Sequence, residues 1–343
     1  MSDLQRETQY FFELTPERIL SAVERSGVRC TGRVLQLNSM ENRVFELEIE
    51  IEDDTLPLSA SERFLIGKFY RPGRWTESQI QAEHSFLCEL RDEELPVVAP
   101  LAFADGKTLH QDPDSGILYA LFPKRGGRLA DELSDEQLQI LGRLLARVHM
   151  VGARRPAPER LLLTPQVFGI ENLQVILQAD VLLPEIRTRY ERTVLRLCEL
   201  IEPLFKSVPT QRIHGDCHLG NILWGTNGPA LVDFDDMVMG PCVQDLWLII
   251  PGRDHYAREQ RTVILSAYED FRSFDWSSVR LIEPLRALRY IHFSAWITKR
   301  WNDPAFKRIF EQFGTPRYWE EQVRDLEEQM VLIEETAPSI NTI

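Results

Sequence analysis

The chain has 343 residues, 43% hydrophobic and 27% charged. That excludes a wholly disordered chain and allows about two domains, or one large two-lobed unit, burying roughly three quarters of the unfolded surface. Lys and Arg number 39 against 53 Asp and Glu, a formal net charge of −14, and so acidic a surface repels a phosphate backbone, so no nucleic-acid partner is expected.

The first element expected is a helix over Thr15 to Gly27. Thr15 can cap it, Pro16 suits its first position, Ile19, Leu20 and Val23 form its stripe, and Gly27 stops it. Phe45 to Glu52 alternates apolar and acidic residues, which predicts an antiparallel strand with one buried and one wet face. Residues 53–61 read as a loop, and Arg63 to Tyr70 as a strand carrying Phe64, Ile66 and Lys68 on one side. A helix begins at Thr76, with Gln79 completing a capping box. Its stripe of Ile80, Leu87 and Leu90 takes Glu83 inward with it. Strands near 97–104 and 117–123 complete a small sheet-rich lobe, residues 1–122. Residues 123–128 (PKRGGR) are the linker, and 129–343 a larger helical lobe with helices over 134–150 and near 184–205, 256–272, 279–301 and 316–335.

A β-rich insert at 211–236 carries the strongest chemical signal. His214-Gly215-Asp216-Cys217-His218-Leu219-Gly220-Asn221 runs into Ile222-Leu223-Trp224, turns at Gly225-Thr226-Asn227-Gly228, and returns through Ala230-Leu231-Val232 to Asp233. Asn227-Gly228 is hairpin chemistry. If Trp224 pairs with Ala230, Asn221 lies opposite Asp233, about 5 Å away between Cα atoms. Two oxygen ligands so placed suit a hard cation such as Mg²⁺. Asp216 is then free to accept a hydroxyl proton. Lys68 on a strand beside Glu83 on the apolar face of the next helix supplies the pair that holds nucleotide phosphates. Together these residues spell phosphoryl transfer. A zinc site from His214, Cys217, His218 and Cys242 is disfavoured, because the spacing is unusual and the metal would commandeer the loop bearing Asp216.

These stretches, with Leu37 to Val44, Lys68 to Trp75, Asp233 to Trp247 and Ile282 to Arg286, resemble the protein-kinase-like fold in the branch of choline kinases and aminoglycoside phosphotransferases. The resemblance implies an α+β fold: a small antiparallel β-sheet N-lobe and a larger, mainly helical C-lobe. Within that branch the chain is similar to a group of bacterial cytoplasmic Ser/Thr protein kinases with a stress-response role. The resemblance implies Asp216 as proton acceptor, Asn221 and Asp233 as Mg²⁺ ligands with Asp233 also catalytic, and Lys68 with Glu83 ordering ATP. Ser39 would lie over the phosphates and is a candidate autophosphorylation site; His214 and Asp245 would support the catalytic loop, although Asp245 also reads as a helix N-cap. The loop has no G-x-G-x-x-G, and Asp233-Phe234-Asp235 stands in place of DFG.

The expected partners are ATP and a protein substrate, with a small alcohol as the alternative acceptor and a catalytically dead scaffold as a third reading. No apolar run approaches the ~20 residues of a membrane span, and Met1 to Glu7 has no leader character. Five scattered cysteines without a CxxC fit free thiols in a reducing cytoplasm. A monomer is expected. Residues 286–301 interleave bases and aromatics, read as a buried helix whose cations pair with surplus acids rather than as a nucleic-acid groove.

Overall fold

In the computed structural model, which describes residues 8–336 apart from 10, 51–60 and 207, Thr15 caps helix α1 (Pro16–Arg25) by accepting the Arg18 N–H. Pro16 opens the helix, where its missing N–H costs nothing. Ile19 and Val23 of α1 are fully buried against the outer face of a five-stranded antiparallel sheet. The strands, in spatial order, are β1 (Cys30–Leu37), β2 (Arg43–Ile49), β3 (Phe64–Phe69), β5 (Leu118–Pro123) and β4 (His110–Gln111).

The period of two then sorts the side chains. Phe45, Leu47, Leu65, Phe69, Tyr119 and Leu121 share the outer face and its core. Lys68, flanked in register by Val44 and Ala120, belongs to the inner face with Ile66 and Phe122. Beneath that face runs α2 (Glu77–Asp92), begun by the expected Thr76–Gln79 capping box, with Ile80, Glu83, Leu87 and Leu90 buried.

The helical part holds α3 (Asp135–Gly152), a π-helical turn (Pro165–Glu171) leading into α4 (Asn172–Gln178), and α5 (Pro184–Phe205). It continues with α6 (Val243–Ile249), α7 (His255–Tyr268), α8 (Ile282–Thr298), α9 (Pro304–Ile309) and α10 (Pro316–Thr336). Two small ribbons sit among them: β6 (Gln211–Ile213) with β9 (Val238–Gly240), and β7 (Ile222–Gly225) with β8 (Gly228–Leu231). One large apolar cluster joins α2 to α3, α5 and α8. All five cysteines are unbridged, and no helix among the described residues is long and apolar enough to cross a membrane.

Three expectations need correction. Residues 97–104 form no strand: Val97 makes only an isolated bridge to Leu231. Pro96 precedes that stretch and Pro100 lies within it, and a proline has no N–H to give a ladder. The sheet is completed instead by β1, an edge strand whose register slips between Cys30 and Val34, which hides its alternation. The β7–β8 register is one residue off, with Trp224 facing Pro229 rather than Ala230. Asn221 therefore meets Val232, whose N–H it accepts at 3.1 Å, and Asp233 lies one residue beyond. Finally, Asp245 sits inside α6 and does not cap it; Cys242 holds the N-cap position without a side-chain bond. Ile51, Glu52 and residues 53–60 of the expected loop lie outside the described residues, as do Met1 to Glu7.

Gly142 of α3 faces α7 so closely that a Cβ there would land on the Ile264 carbonyl oxygen and crowd the Tyr268 nitrogen. Alanine favours an isolated helix, but overpacking at such a contact costs about 1–3 kcal/mol. Gly142→Ala is therefore expected to lower the unfolding midpoint in urea; an unchanged or higher midpoint would contradict this helix contact.

Candidate active site

The segment from His214 to Asn221 leaves β6 as a loop whose backbone is fastened from behind. Asp245, fully buried, accepts the N–H of His214 at 2.9 Å and of Gly215 at 2.8 Å. His149 of α3 meets the same carboxylate at 3.1 Å. The buried His214 ring donates from Nε2 to the Val232 carbonyl (3.0 Å), so its Nδ1 can accept the Asp216 N–H at 3.3 Å. Gly215 has φ +86°, and a Cβ there would run into the Asp236 carbonyl. Only glycine fits that left-handed, crowded position. His214 and Asp245 thus lie behind the site and shape it.

At the loop's tip, Asn221 spends its amide nitrogen on the Asp216 carbonyl at 2.9 Å, leaving its Oδ1 for a cation. The Asp216 carboxylate is held on both oxygens, by Arg289 Nη1 at 2.7 Å and by His218 Nε2 at 3.4 Å. Burial alone would raise this carboxyl, but the contacts with His218 and Arg289 outweigh it and keep the group well below the usual carboxylate range.

Lys68 lies among three acids: Asp235 at 3.0 Å, Asp233 at 3.2 Å and Glu83 at 3.9 Å. The pairing anticipated with Glu83 is the longest of the three. Asp235, 3% exposed, also binds Arg74 at 2.5 Å, and Arg74 reaches Asp236 at 2.7 Å. Burial works against charge on Lys68, yet Asp235, Asp233 and Glu83 hold its pKa well above the ordinary value. Asp233 adopts a left-handed backbone, φ 58°, uncommon for a residue with a Cβ, and its side chain is 57% exposed.

Over the cleft lies the Asn38–Asn42 loop, with Ser39 exposed. Its anchor is Glu41, 9% exposed, which accepts from Trp296 Nε1 (2.6 Å) and from Arg300 Nη2 (2.6 Å), with Arg71 and Arg74 each at 3.4 Å. Asn42 accepts the Arg71 N–H at 3.1 Å. Ser39, Lys68, Glu83, Asp216, Asn221 and Asp233 all line one cavity of about 750 Å³. The 286–301 segment pairs as anticipated, Arg286 with Glu283, Arg289 with Asp216 and Arg300 with Glu41.

Sequence reasoning missed Asp235, Arg74, Glu41 and Arg289 as members of this site. Arg74 and Glu41 stand in stretches that carried the resemblance, but no local pattern says which acid each arginine will meet.

Two outcomes are expected. Removing one partner of a buried ionic cluster costs roughly 3–5 kcal/mol, so Glu41→Ala should lower the urea midpoint far more than substitutions at exposed acids such as Glu132. The second concerns pH. Burial pushes the Glu83 carboxyl up to about 7. The unfolded chain releases that proton at lower pH, so this contribution to stability is full below the unfolded value and fades as pH rises toward 7. Urea unfolding at pH 5 and pH 7 should show Glu83→Gln with a shallower loss than the parent; parallel losses would contradict it.

With this geometry in hand, comparison with known proteins is direct. The model of the phosphotransferase enzyme family matches residues 41–282. The chain is 38% identical over 328 residues to stress response kinase A of Salmonella paratyphi A, covering 95% of each. It is 37% identical over 328 residues, again 95% of each chain, to a protein of Salmonella typhimurium named serine/threonine protein kinase RdoA. Among solved structures, an amicoumacin kinase in complex with AMP-PNP, Ca²⁺ and Ami superposes with a TM-score of 0.67 at 18% identity, over 88% of this chain and 92% of that one. The family match over most of the chain and the near-full-length identity agree: this chain belongs to the phosphotransferase enzyme family, alongside the stress response kinases.

Proposed function

We propose that this protein transfers the γ-phosphoryl group of ATP to Ser or Thr hydroxyls of proteins, its own chain included, with Mg²⁺ as cofactor. The observation that carries the reading is the convergence of Asp216, Asn221, Asp233, Lys68 and Glu83 on one cleft beneath the Asn38–Asn42 loop. The name of the Salmonella typhimurium relative favours a protein acceptor, and the relatives' names favour a role in stress.

In this reading Asn221 Oδ1 and the Asp233 carboxylate hold the metal, an all-oxygen pair suited to Mg²⁺. Water and nucleotide phosphate oxygens would supply the remaining ligands. When bound, the ion would neutralise charge on the phosphates. Lys68, kept in place by Glu83 and Asp235, donates to the nucleotide phosphates. Asp216 stays ionised, orients the acceptor hydroxyl and takes its proton as the new bond forms. Residues 123–128 act as the hinge, pinned at Arg128 by paired backbone bonds to Trp224 of 2.9 Å each.

A small alcohol is the second reading. It is favoured by the likeness to the amicoumacin kinase and by the few residues between Asp235 and Asp245, which leave little room for an activation segment. The test is transfer from γ-labelled ATP with Mg²⁺ to the chain itself, to Ser/Thr peptides and to small alcohols. Asp216→Ala should lower transfer about 10²–10⁴-fold while nucleotide still binds, and Asp233→Ala should lose metal-dependent nucleotide binding. Equal rates for the parent and Asp216→Ala would overturn the role of Asp216; label on small alcohols only would favour the second reading.

A further inference from the structure

The cleft's charges are arranged unevenly around Asp216. Every carboxylate lining the cavity lies within ion-pair distance of an Arg or Lys nitrogen. On the side where an acceptor would enter, Asp236 is held by Arg74 at 2.7 Å, Glu41 by Arg300 at 2.6 Å and Asp216 by Arg289 at 2.7 Å. An ammonium-bearing acceptor would find no unmatched carboxylate among these. Arg289 differs from the other two arginines. Its side chain is 41% exposed, against 10% for Arg74 and 7% for Arg300. Only Nη1 has a hydrogen-bond partner among the described residues, the Asp216 carboxylate. A guanidinium carries five N–H donors in a planar fork, so most of Arg289's donors are left over in a residue that lines the cavity.

Resting on the proposed transfer reaction, we infer that Arg289 selects the acceptor: the phosphorylated hydroxyl belongs to a Ser or Thr with an acidic side chain beside it. A hydroxyl approaching Asp216 Oδ1 shares that oxygen with Arg289 Nη1 and weakens its contact. An acceptor carboxylate gives the guanidinium a replacement partner, with two parallel N–H···O bonds available. A lysine beside the hydroxyl would instead meet a second cation at close range. One turn along α8, Phe293, 46% exposed, stacks on Trp296 with ring centroids 5.6 Å apart. This gives the acceptor chain an apolar ledge next to the guanidinium.

The experiment uses the full-length protein with Mg²⁺ and γ-labelled ATP. Three peptides share one Ser and differ only in its neighbours, which are Asp, Ala or Lys. A hydroxy acid and an amino alcohol form a parallel small-molecule pair. The expected result is a kcat/KM for the Asp peptide at least about tenfold above that for the Lys peptide. Arg289→Glu should invert that order, and Arg289→Lys should keep it in weaker form. A parent enzyme that treats the three peptides alike or prefers Lys overturns the inference. So does Arg289→Glu if it lowers all three by one factor, because Arg289 would then only orient Asp216. If no peptide is labelled but the hydroxy acid is preferred to the amino alcohol, the protein-acceptor reading falls and the selection by Arg289 stands. Preference for the amino alcohol overturns the selection, and absence of transfer to any acceptor overturns both.

Discussion

A single buried carboxylate ties the sheet to the chemistry. Asp235 is almost wholly removed from water, and an isolated charge there would cost several kcal/mol. It is tolerated because two cations converge on it, Lys68 from the end of β3 and Arg74 from the turn that follows. Both come from a short stretch of the sheet lobe, so the 233–236 segment must dock under that stretch for either charge to be satisfied. Arg160, itself buried, fixes the same segment from the other side by donating to the Asp235 and Met237 carbonyls and to Gln79 at the start of α2. The left-handed backbone at Asp233 is the consequence: with Phe234 packed inside and Asp235 clamped, the preceding residue turns its carboxylate outward into the cleft.

The same pairing of buried charges fixes the Asn38–Asn42 loop, which has no glycine. A glycine-rich loop lets the backbone come close to phosphates. Here Glu41 fastens the loop to Trp296 and Arg300 at the far end of α8. Arg71, which binds the Glu41 carbonyl, extends to Asp303 at the start of α9. The loop's position over the cleft is therefore set by contacts of Glu41 with Trp296 and Arg300, 255 and 259 residues away in sequence. It also accounts for the place of Arg286, Arg289 and Arg300 in an acidic protein, each meeting an acid inside the fold. Asp216 belongs to that pattern, its carboxylate paired with Arg289 and flanked by His218.

Wherever the cause was local, the sequence was readable. The capping box of Thr76 with Gln79 opens a helix at that residue, because a cap needs only its own first turn. The inward turn of Glu83 followed from helical spacing, and the gathering of Asp216, Asn221 and Asp233 on one cavity survived a one-residue error in the hairpin register. Residues 97–104 looked like a strand because apolar residues cluster there, but prolines and a missing partner left only one bridge. The edge strand β1 went unread because a bulge breaks its period and its pairing partner defines it. Asp245 offered two readings, and its local sequence could not choose between capping its own helix and accepting N–H groups from a loop 30 residues away.

By itself the sequence determined the main helices, the hairpin that carries an amide and an acid, and the strand and helix that bring a lysine and a glutamate inward. Only the tertiary structure decided who neutralises whom: Lys68 meets Asp235 more closely than Glu83, Glu41 meets Arg300, and Asp216 meets Arg289. The reason is physical. Helix periods, caps and turns are set by residues within a few positions of one another, whereas a buried charge takes whichever opposite charge the packing of distant elements delivers.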